Sequence, residues 1–169
     1  MSTTEFFKVY GAQERQDQLK KISANNYFLI FGFGEENGQG YNWCRYYDHL
    51  PTASELRADI DGLINAITDS NILTGMTWNS KPVYLSAENQ MNFKATHDLA
   101  LQTNGAVLPV KFKLGEDADG KPVYHTFTKV EPLTDFIIKC FTHINSATNE
   151  GWAEKDAVDY DKLLSIEEV

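Results

Sequence analysis

The sequence predicts an α+β fold in which antiparallel hairpins pack with three main helices. Three segments carry apolar residues at helical spacing, which is typical of helices with one buried face. Pairs of short apolar or aromatic segments are separated by Asn, Asp and Gly, which favour hairpin turns. From residue 52 to residue 152 the predicted order is helix, hairpin, helix, hairpin, helix, and an aromatic β-hairpin precedes it.

The first 50 residues are predicted to form an aromatic hairpin. They contain 11 of the 21 aromatic residues of the chain. Residues 12–22 are mostly polar and are predicted to form a short helix anchored by Leu19 and Ile22. Residues 27–33 (YFLIFGF) and 41–47 (YNWCRYY) have the composition of strands, and a glycine-rich loop joins them.

The first main helix is predicted to begin at a capping box, Thr52-Ala53-Ser54-Glu55, in which hydroxyl and carboxylate satisfy free backbone N–H groups. It is predicted to end near residues 68–71. Its expected buried face comprises Ala53, Leu56, Ile60, Leu63, Ile64 and Ile67. A hairpin follows, with strands at residues 74–78 and 83–85 around the polar turn at 79–81.

The second helix is predicted to have Ser86 as its N-cap and Gly105 at its end. Its expected buried residues are Ala87, Met91, Phe93, Ala95, Leu99 and Ala100. Residues 107–114 and 122–128 are predicted to form the second hairpin. The third helix is predicted to begin at Pro132, a favoured first position, and to be broken at Gly151-Trp152. Its expected buried face comprises Leu133, Phe136, Ile137, Cys140, Phe141, Ile144 and Ala147.

Length and charge limit the classes of function. A chain of 169 residues fits one domain with a small extension. We expect residues 1–50 to form an anchoring or oligomerisation segment and residues 51–169 to form an α+β domain with an acidic tail.

The net charge of −9 leaves no cationic surplus for nucleic acid or anionic lipid, so neither is an expected partner. The two cysteines do not form a disulfide framework. The N-terminus has no signal peptide pattern, so a soluble protein made in a cytoplasm is expected.

Two loops resemble ligand-binding motifs only in part. The glycines from Gly32 to Gly40 lead into a strand-like segment, whereas a nucleotide-binding loop must lead into a helix. Asp117-Ala118-Asp119-Gly120 lacks the glutamate that a calcium loop carries at its twelfth position. Hairpin turns explain both patterns better.

Two residue pairs resemble metal or catalytic groups, also in part. Cys140 and His143 are spaced to share a helix face, but no second pair completes a metal site. His97 and Asp98 are adjacent, so a helix directs their side chains apart. The sequence therefore predicts a non-enzymatic protein with no catalytic, metal-binding or cofactor-binding residues.

The aromatic residues of the N-terminal segment have two interpretations. They cover one face of a sheet, or some of them form a protein–protein contact, since Tyr and Trp are enriched in interface cores. Exposed aromatic strands also favour edge-to-edge pairing, which indicates a homo-oligomer. The candidate interface residues are Phe6, Phe7, Tyr10, Tyr41, Trp43, Tyr46 and Tyr47.

Three segments resemble a known family. They are Val-Tyr-Leu-Ser-x-Glu-Asn-Gln-x-Asn-Phe-Lys-Ala at 83–95, Leu-Pro-Val-Lys-Phe-Lys-Leu-Gly at 108–115, and Gly-Trp-Ala-Glu-Lys-Asp at 151–156. Over residues 50–165 the chain resembles a phage- and prophage-borne domain of unknown function that occurs in structural gene clusters of tailed phages of gut bacteria, including the crAss-like group.

The resemblance implies a role without catalysis. It suggests a structural protein of the virion, made in the host cytoplasm, that serves as a head- or tail-fibre-associated module or as a capsid/tail adaptor. Its implied partners are other phage structural proteins of the capsid, tail or fibre. An alternative is a fibre-assembly chaperone or small cytoplasmic binding protein that is not part of the particle.

Overall fold

A computed structural model of the chain describes residues 5–166. Its helices and antiparallel strands confirm the predicted α+β class. The chain divides into two units: an N-terminal unit of Met1–Leu63 with Ala157–Val169, and a central unit of Ile64–Asp156. These ranges do not coincide with the expected ranges 1–50 and 51–169. The division falls within the first helix, and the C-terminal residues belong to the N-terminal unit.

The N-terminal unit contains a four-stranded antiparallel sheet. Its strands are β1 (Phe7–Tyr10), β2 (Gln18–Lys21), β3 (Tyr27–Glu36) and β4 (Gln39–Tyr47), in the order β1-β4-β3-β2. The predicted hairpin of β3 and β4 is present, and its tight turn uses positive φ angles of 52° at Asn37 and 75° at Gly38.

The prediction of a helix at residues 12–22 is wrong, because residues 18–21 form strand β2. Leu19 lies opposite Leu29 of β3 and is buried, whereas its neighbour Lys20 is exposed. A short polar helix with two anchors has little packing energy to offset its nucleation cost. Pairing with β3 gives hydrogen-bond partners to the backbone groups that face β3 and buries Leu19 at the same time.

One face of this sheet, called the covered face, carries the core of the N-terminal unit. Its fully or nearly buried members are Leu19, Tyr27, Leu29, Phe31 and Tyr47. Helix α1 (Ala53–Thr74) is attached to this face through Asp59, which accepts a hydrogen bond from the Tyr47 hydroxyl at 2.8 Å and pairs with Arg45 at 3.2 Å. The short helix designated α4 (Tyr160–Leu164) contacts β2 and buries Tyr160 and Leu163.

Helix α1 begins as predicted but is longer. The capping box is formed, with the Thr52 N–H donating to Glu55 at 2.8 Å and the Glu55 N–H donating to the Thr52 hydroxyl at 3.2 Å. Such a cap stabilises a helix by about 1 kcal/mol. The predicted end at residues 68–71 is wrong, because the helix continues to Thr74 with the polar residues on its surface. Of the predicted buried face, Leu56, Ile60, Leu63 and Ile64 are buried, and Ala53 and Ile67 are exposed.

The central unit has the predicted alternation of helices and hairpins. After α1 come β5 (Met76–Trp78), β6 (Lys81–Val83), α2 (Ala87–Gln102), β7 (Val110–Glu116), β8 (Pro122–Phe127) and α3 (Val130–Asp156). The turn between β5 and β6 has positive φ at Asn79 and Ser80, the conformation that suits a two-residue hairpin. The Tyr84 N–H donates to the Leu114 carbonyl at 2.7 Å and thereby links the two hairpins.

The predicted buried face of α2 is largely wrong. Phe93 and Ala100 are buried, whereas Ala87, Met91, Ala95 and Leu99 are exposed, Met91 to 72%. The ring of Phe93 packs against Phe112 and Phe136, and this contact determines which side of α2 faces the core. Residues 87, 91, 95 and 99 form a row on the other side of the helix because successive residues are rotated by about 100°.

Helix α3 runs from Val130 to Asp156, so the predictions that it begins at Pro132 and breaks at Gly151 are wrong. Pro132 is in the first turn, where a missing N–H removes no hydrogen bond. Gly151 is buried inside the helix, and a Cβ there would lie 2.4 Å from the Thr68 hydroxyl of α1. Its small size permits this close approach. The predicted face is buried except for Phe141, which is 40% exposed, and Ile144, which is partly buried.

Candidate functional site

The second face of the N-terminal sheet carries a continuous set of aromatic and apolar side chains, called here the aromatic face. Residues that lie opposite each other in an antiparallel pair point to the same side of the sheet. Phe28 lies opposite Tyr46, and Cys44 lies between Ile30 and Phe7. The aromatic face therefore comprises Phe7, Val9, Phe28, Ile30, Cys44 and Tyr46.

Three rings on this face pack against one another. The centroid of the Tyr46 ring lies 4.7 Å from that of Phe28 and 5.5 Å from that of Phe7, and Phe7 lies 6.2 Å from Phe28. These separations are in the range in which aromatic pairs attract each other beyond their burial of area. Each of the three rings therefore packs against the other two.

The aromatic face remains accessible. Tyr46 is 38% exposed, Val9 is exposed, and Phe7, Phe28 and Ile30 are half-buried. Cys44 is buried among them, and burial raises the pKa of its thiol to about 11, so it stays protonated and acts as a small apolar side chain. Apolar side chains on this side of the sheet are therefore accessible to solvent.

The predicted interface residues are divided between the two faces. Phe7 and Tyr46 are on the aromatic face. Tyr41 and Trp43 are on the opposite side, where Lys8 lies 4.5 Å and 5.4 Å from the centroids of their rings. Tyr10 is on that side too, and its hydroxyl donates to Glu36. The hydrogen bonds from Tyr10 and Lys8 lower the pKa of Glu36.

Phe6 and Tyr47 are also away from the aromatic face. The guanidinium of Arg45 lies 5.8 Å from the Phe6 ring and 5.2 Å from the Tyr47 ring. Tyr47 is buried, and burial raises the pKa of its hydroxyl, which donates to Asp59.

Sequence reasoning missed Phe28 and Ile30 as surface residues. They alternate along β3 with the buried residues Tyr27, Leu29 and Phe31, and this alternation could have predicted that both lie on the opposite face of the sheet.

Strand β1 forms one edge of the sheet. Among residues 5–166 it pairs with β4 on one side and with no strand on the other. An edge strand presents backbone groups to which another chain can pair. The aromatic face and the β1 edge adjoin at Phe7 and Val9, so one partner can contact both.

The motif at the start of α2 has a structural role. The Ser86 hydroxyl accepts from the Asn89 N–H at 3.2 Å, the Asn89 side chain donates to the Tyr84 carbonyl, and the Gln90 side chain donates to the Leu85 carbonyl, both at 2.8 Å. These bonds anchor α2 to the chain that follows β6. The prediction that Ser86 is the N-cap is confirmed.

The two glycine- and aspartate-containing loops lie in hairpins, as predicted, but the first is shorter than expected, because Glu35 pairs with Gly40 and Glu36 with Gln39, which leaves a two-residue turn. Gly34 and Gly40 belong to the paired strands β3 and β4. In the turn between β7 and β8, one carboxylate oxygen of Asp117 accepts from the N–H groups of Asp119 and Lys121, both at 2.9 Å. Within residues 5–166, no group of three His, Cys, Asp or Glu side chains is arranged to hold a metal ion.

The two residue pairs singled out in the sequence make contacts within the fold. His97 Nε2 lies 2.9 Å from the Thr134 hydroxyl, and Asp98 pairs with Lys94 at 2.5 Å. The expectation that the side chains of His97 and Asp98 point apart is wrong, because His97 Nδ1 lies 3.9 Å from the Asp98 carboxylate. Cys140 is buried, which raises the pKa of its thiol to about 12, and His143 bonds the Asn71 carbonyl at 2.9 Å. Each of these side chains has a contact within the fold.

His125 lies in an apolar and cationic environment in the central unit. Its ring packs against Trp78 at 4.8 Å and Phe127 at 4.6 Å, and its Nδ1 lies 3.1 Å from the Lys81 ammonium. Burial, and secondarily the Lys81 charge, lower its pKa below 6.5. The unfolded chain therefore takes up a proton at a higher pH than the folded chain, so the contribution is complete above pH 6.5 and is lost as the pH falls towards the folded pKa.

We expect urea unfolding to give a lower free energy at pH 5.5 than at pH 7.5, with a smaller difference in His125→Gln. The variant lacks the group whose proton uptake differs between the two states. Far-UV circular dichroism reports the transition in both proteins. Equal pH dependence in the wild type and the variant would contradict this assignment.

Comparisons with known proteins do not supply a family. No protein-family model matches the chain, no curated protein matches it, and no solved structure matches it. The resemblance to the phage-borne domain therefore remains a prediction. In the part of the chain that the structure describes, none of the helices combines the length and apolar character needed to cross a bilayer.

Proposed function

We propose that this protein is a non-enzymatic structural component of a bacteriophage particle, either a fibre-associated module or a capsid/tail adaptor, that acts through protein–protein contacts. The aromatic face is the observation that supports this proposal. Accessible rings of Phe and Tyr that pack together are of the residue types enriched in the cores of protein interfaces. The phage context comes from the resemblance of residues 50–165.

The partner in this proposal is another structural protein of the particle. It covers Phe28, Ile30 and Tyr46 on the aromatic face and continues across Phe7 and Val9 to the β1 edge. The rings of the face already pack against one another, so little conformational entropy is lost on binding. The unpaired backbone of β1 adds hydrogen bonds that direct the partner's orientation.

Mass spectrometry of purified particles, made by the phage that encodes this chain, tests the assignment to the virion. We expect the protein in the particles at a constant ratio to the capsid protein. Absence from particles would overturn the assignment, and presence in the lysate alone would favour the assembly chaperone instead.

Tyr46→Asp tests the role of the aromatic face, with Tyr124→Asp as the matched control. Both tyrosines are exposed, and Tyr124 lies on β8 of the central unit. We expect Tyr46→Asp to reduce incorporation into particles at least about tenfold, because a carboxylate buried in an interface loses its hydration. Tyr124→Asp should incorporate as the wild type does. Equal incorporation of both folded variants would exclude the aromatic face as the contact.

A further inference from the structure

A groove lies between β2 and α4 in the N-terminal unit. It encloses about 400 Å³. Leu19 and Leu163, both buried, belong to its lining and give it an apolar base, and the exposed side chain of Ile22 is also part of it. We call it the β2–α4 groove.

The charge of this groove is opposite to that of the whole chain. Lys20, Lys21 and Lys162 line it, although the protein has a net charge of −9. Within residues 5–166 their ammonium groups have neither an ion-pair nor a hydrogen-bond partner. Three unpaired cations around one groove constitute a local positive potential that favours an anionic occupant.

The one carboxylate among the described lining residues is already engaged. Asp17 pairs with Arg15 at 2.7 Å, and its second oxygen accepts from the Gly32 N–H at 2.8 Å. These bonds hold the carboxylate between Arg15 and strand β3. It therefore does not neutralise the three lysines.

The groove also follows an open strand edge. Strand β2 is the last strand of the sheet on this side. The Ile22 N–H donates to the Asn26 carbonyl at 2.9 Å, and Lys20 lies opposite Phe28 in the same ladder. Because antiparallel strands alternate the direction of their backbone groups, Leu19 and Lys21 direct theirs away from β3. An extended peptide can pair with these groups.

We propose that the β2–α4 groove binds an extended acidic peptide segment, which pairs with the edge of β2 and places carboxylates near Lys20, Lys21 and Lys162. An apolar side chain of the same peptide contacts Leu19 and Leu163. A long nucleic acid strand fits less well, because the charge of the remaining protein repels a polyanion that extends beyond the groove. This inference does not depend on the presence of the protein in a virion.

Fluorescence anisotropy tests the proposal with a labelled peptide that repeats Glu-Val-Glu-Glu, which places carboxylates on both faces of an added strand and valine on one face. The variant is the triple substitution Lys20→Gln, Lys21→Gln and Lys162→Gln. The control is Lys94→Gln, Lys111→Gln and Lys129→Gln, which removes the same number of charges from the central unit. We expect the Kd to rise at least about tenfold in the groove variant and to stay within about twofold of wild type in the control.

Modified probes separate charge from strand pairing. A peptide with Gln in place of Glu should lose binding to the wild type. Two further peptides carry N-methyl groups at the odd or at the even positions. We expect only one of them to lose binding, because only every second residue donates its backbone N–H to β2. Equal loss in both triple variants, tolerance of all N-methylations, or tighter binding of single-stranded DNA of equal length would overturn the proposal. Absence of binding at about 1 mM protein would overturn it as well.

Discussion

Replacing Phe136 by alanine is expected to lower the free energy of unfolding by about 3–5 kcal/mol. Phe136 has no exposed surface. Its ring lies 5.1 to 5.4 Å from those of Phe93, Trp78 and Phe127. Truncation removes the contacts of all three rings at once and leaves a cavity in which they cannot all collapse. Chemical denaturation followed by far-UV circular dichroism measures the change.

Phe141→Ala is the matched control because it makes the same substitution on the same helix. Phe141 is 40% exposed, so its ring contributes less buried area. We expect a loss of about 1 kcal/mol. Losses of equal size in the two variants would mean that the buried side of α3 is misassigned.

The features that the sequence predicted correctly depend on neighbouring residues. The Thr52-Glu55 capping box, the Ser86 N-cap and the Asn79-Ser80 turn each satisfy backbone groups within a few positions. Such local chemistry is present in the sequence itself. It was enough to predict the alternation of helices and hairpins in the central unit.

The features that were predicted wrongly depend on distant parts of the chain. Strand β2 forms by pairing of Leu19 and its neighbours with β3. The residues between 12 and 22 do not by themselves predict that pairing. The orientation of α2 follows from the contacts of one ring, Phe93, with Phe112 and Phe136. Gly151 is similar: sequence spacing cannot distinguish a helix-breaking glycine from one that permits a close helix–helix approach.

The candidate site was predicted in part for the same reason. The abundance of aromatic residues in the first 50 positions left two interpretations open, the cover of one sheet face or a protein–protein contact, and period-two alternation would have grouped Phe28 with Ile30. Joining them to Phe7 and Tyr46 requires the register of three strands. The irregular pairing between Phe31 and Gly34 also changes the register along β3, which spacing alone does not indicate.

Leu29→Ala is expected to lower the free energy of unfolding by about 2–5 kcal/mol, because Leu29 is fully buried on the covered face of the N-terminal sheet. It lies opposite Leu19 on one side and Arg45 on the other, at the centre of β3. Alanine leaves a cavity that these paired strands cannot close without a shift of the ladder. Thermal and urea unfolding of the purified variant measure the loss.

The adjacent substitution Ile30→Ala completes the test, since Ile30 is on the aromatic face and is only half-buried. We expect a loss of about 1 kcal/mol in the isolated protein, in proportion to the smaller area removed from water. The difference in the free energy of unfolding between Leu29→Ala and Ile30→Ala compares the covered face with the aromatic face, which the proposal leaves to a partner. If both variants lose the same stability, the aromatic face is already covered within the chain, and the proposed contact with another particle protein has no surface on which to form.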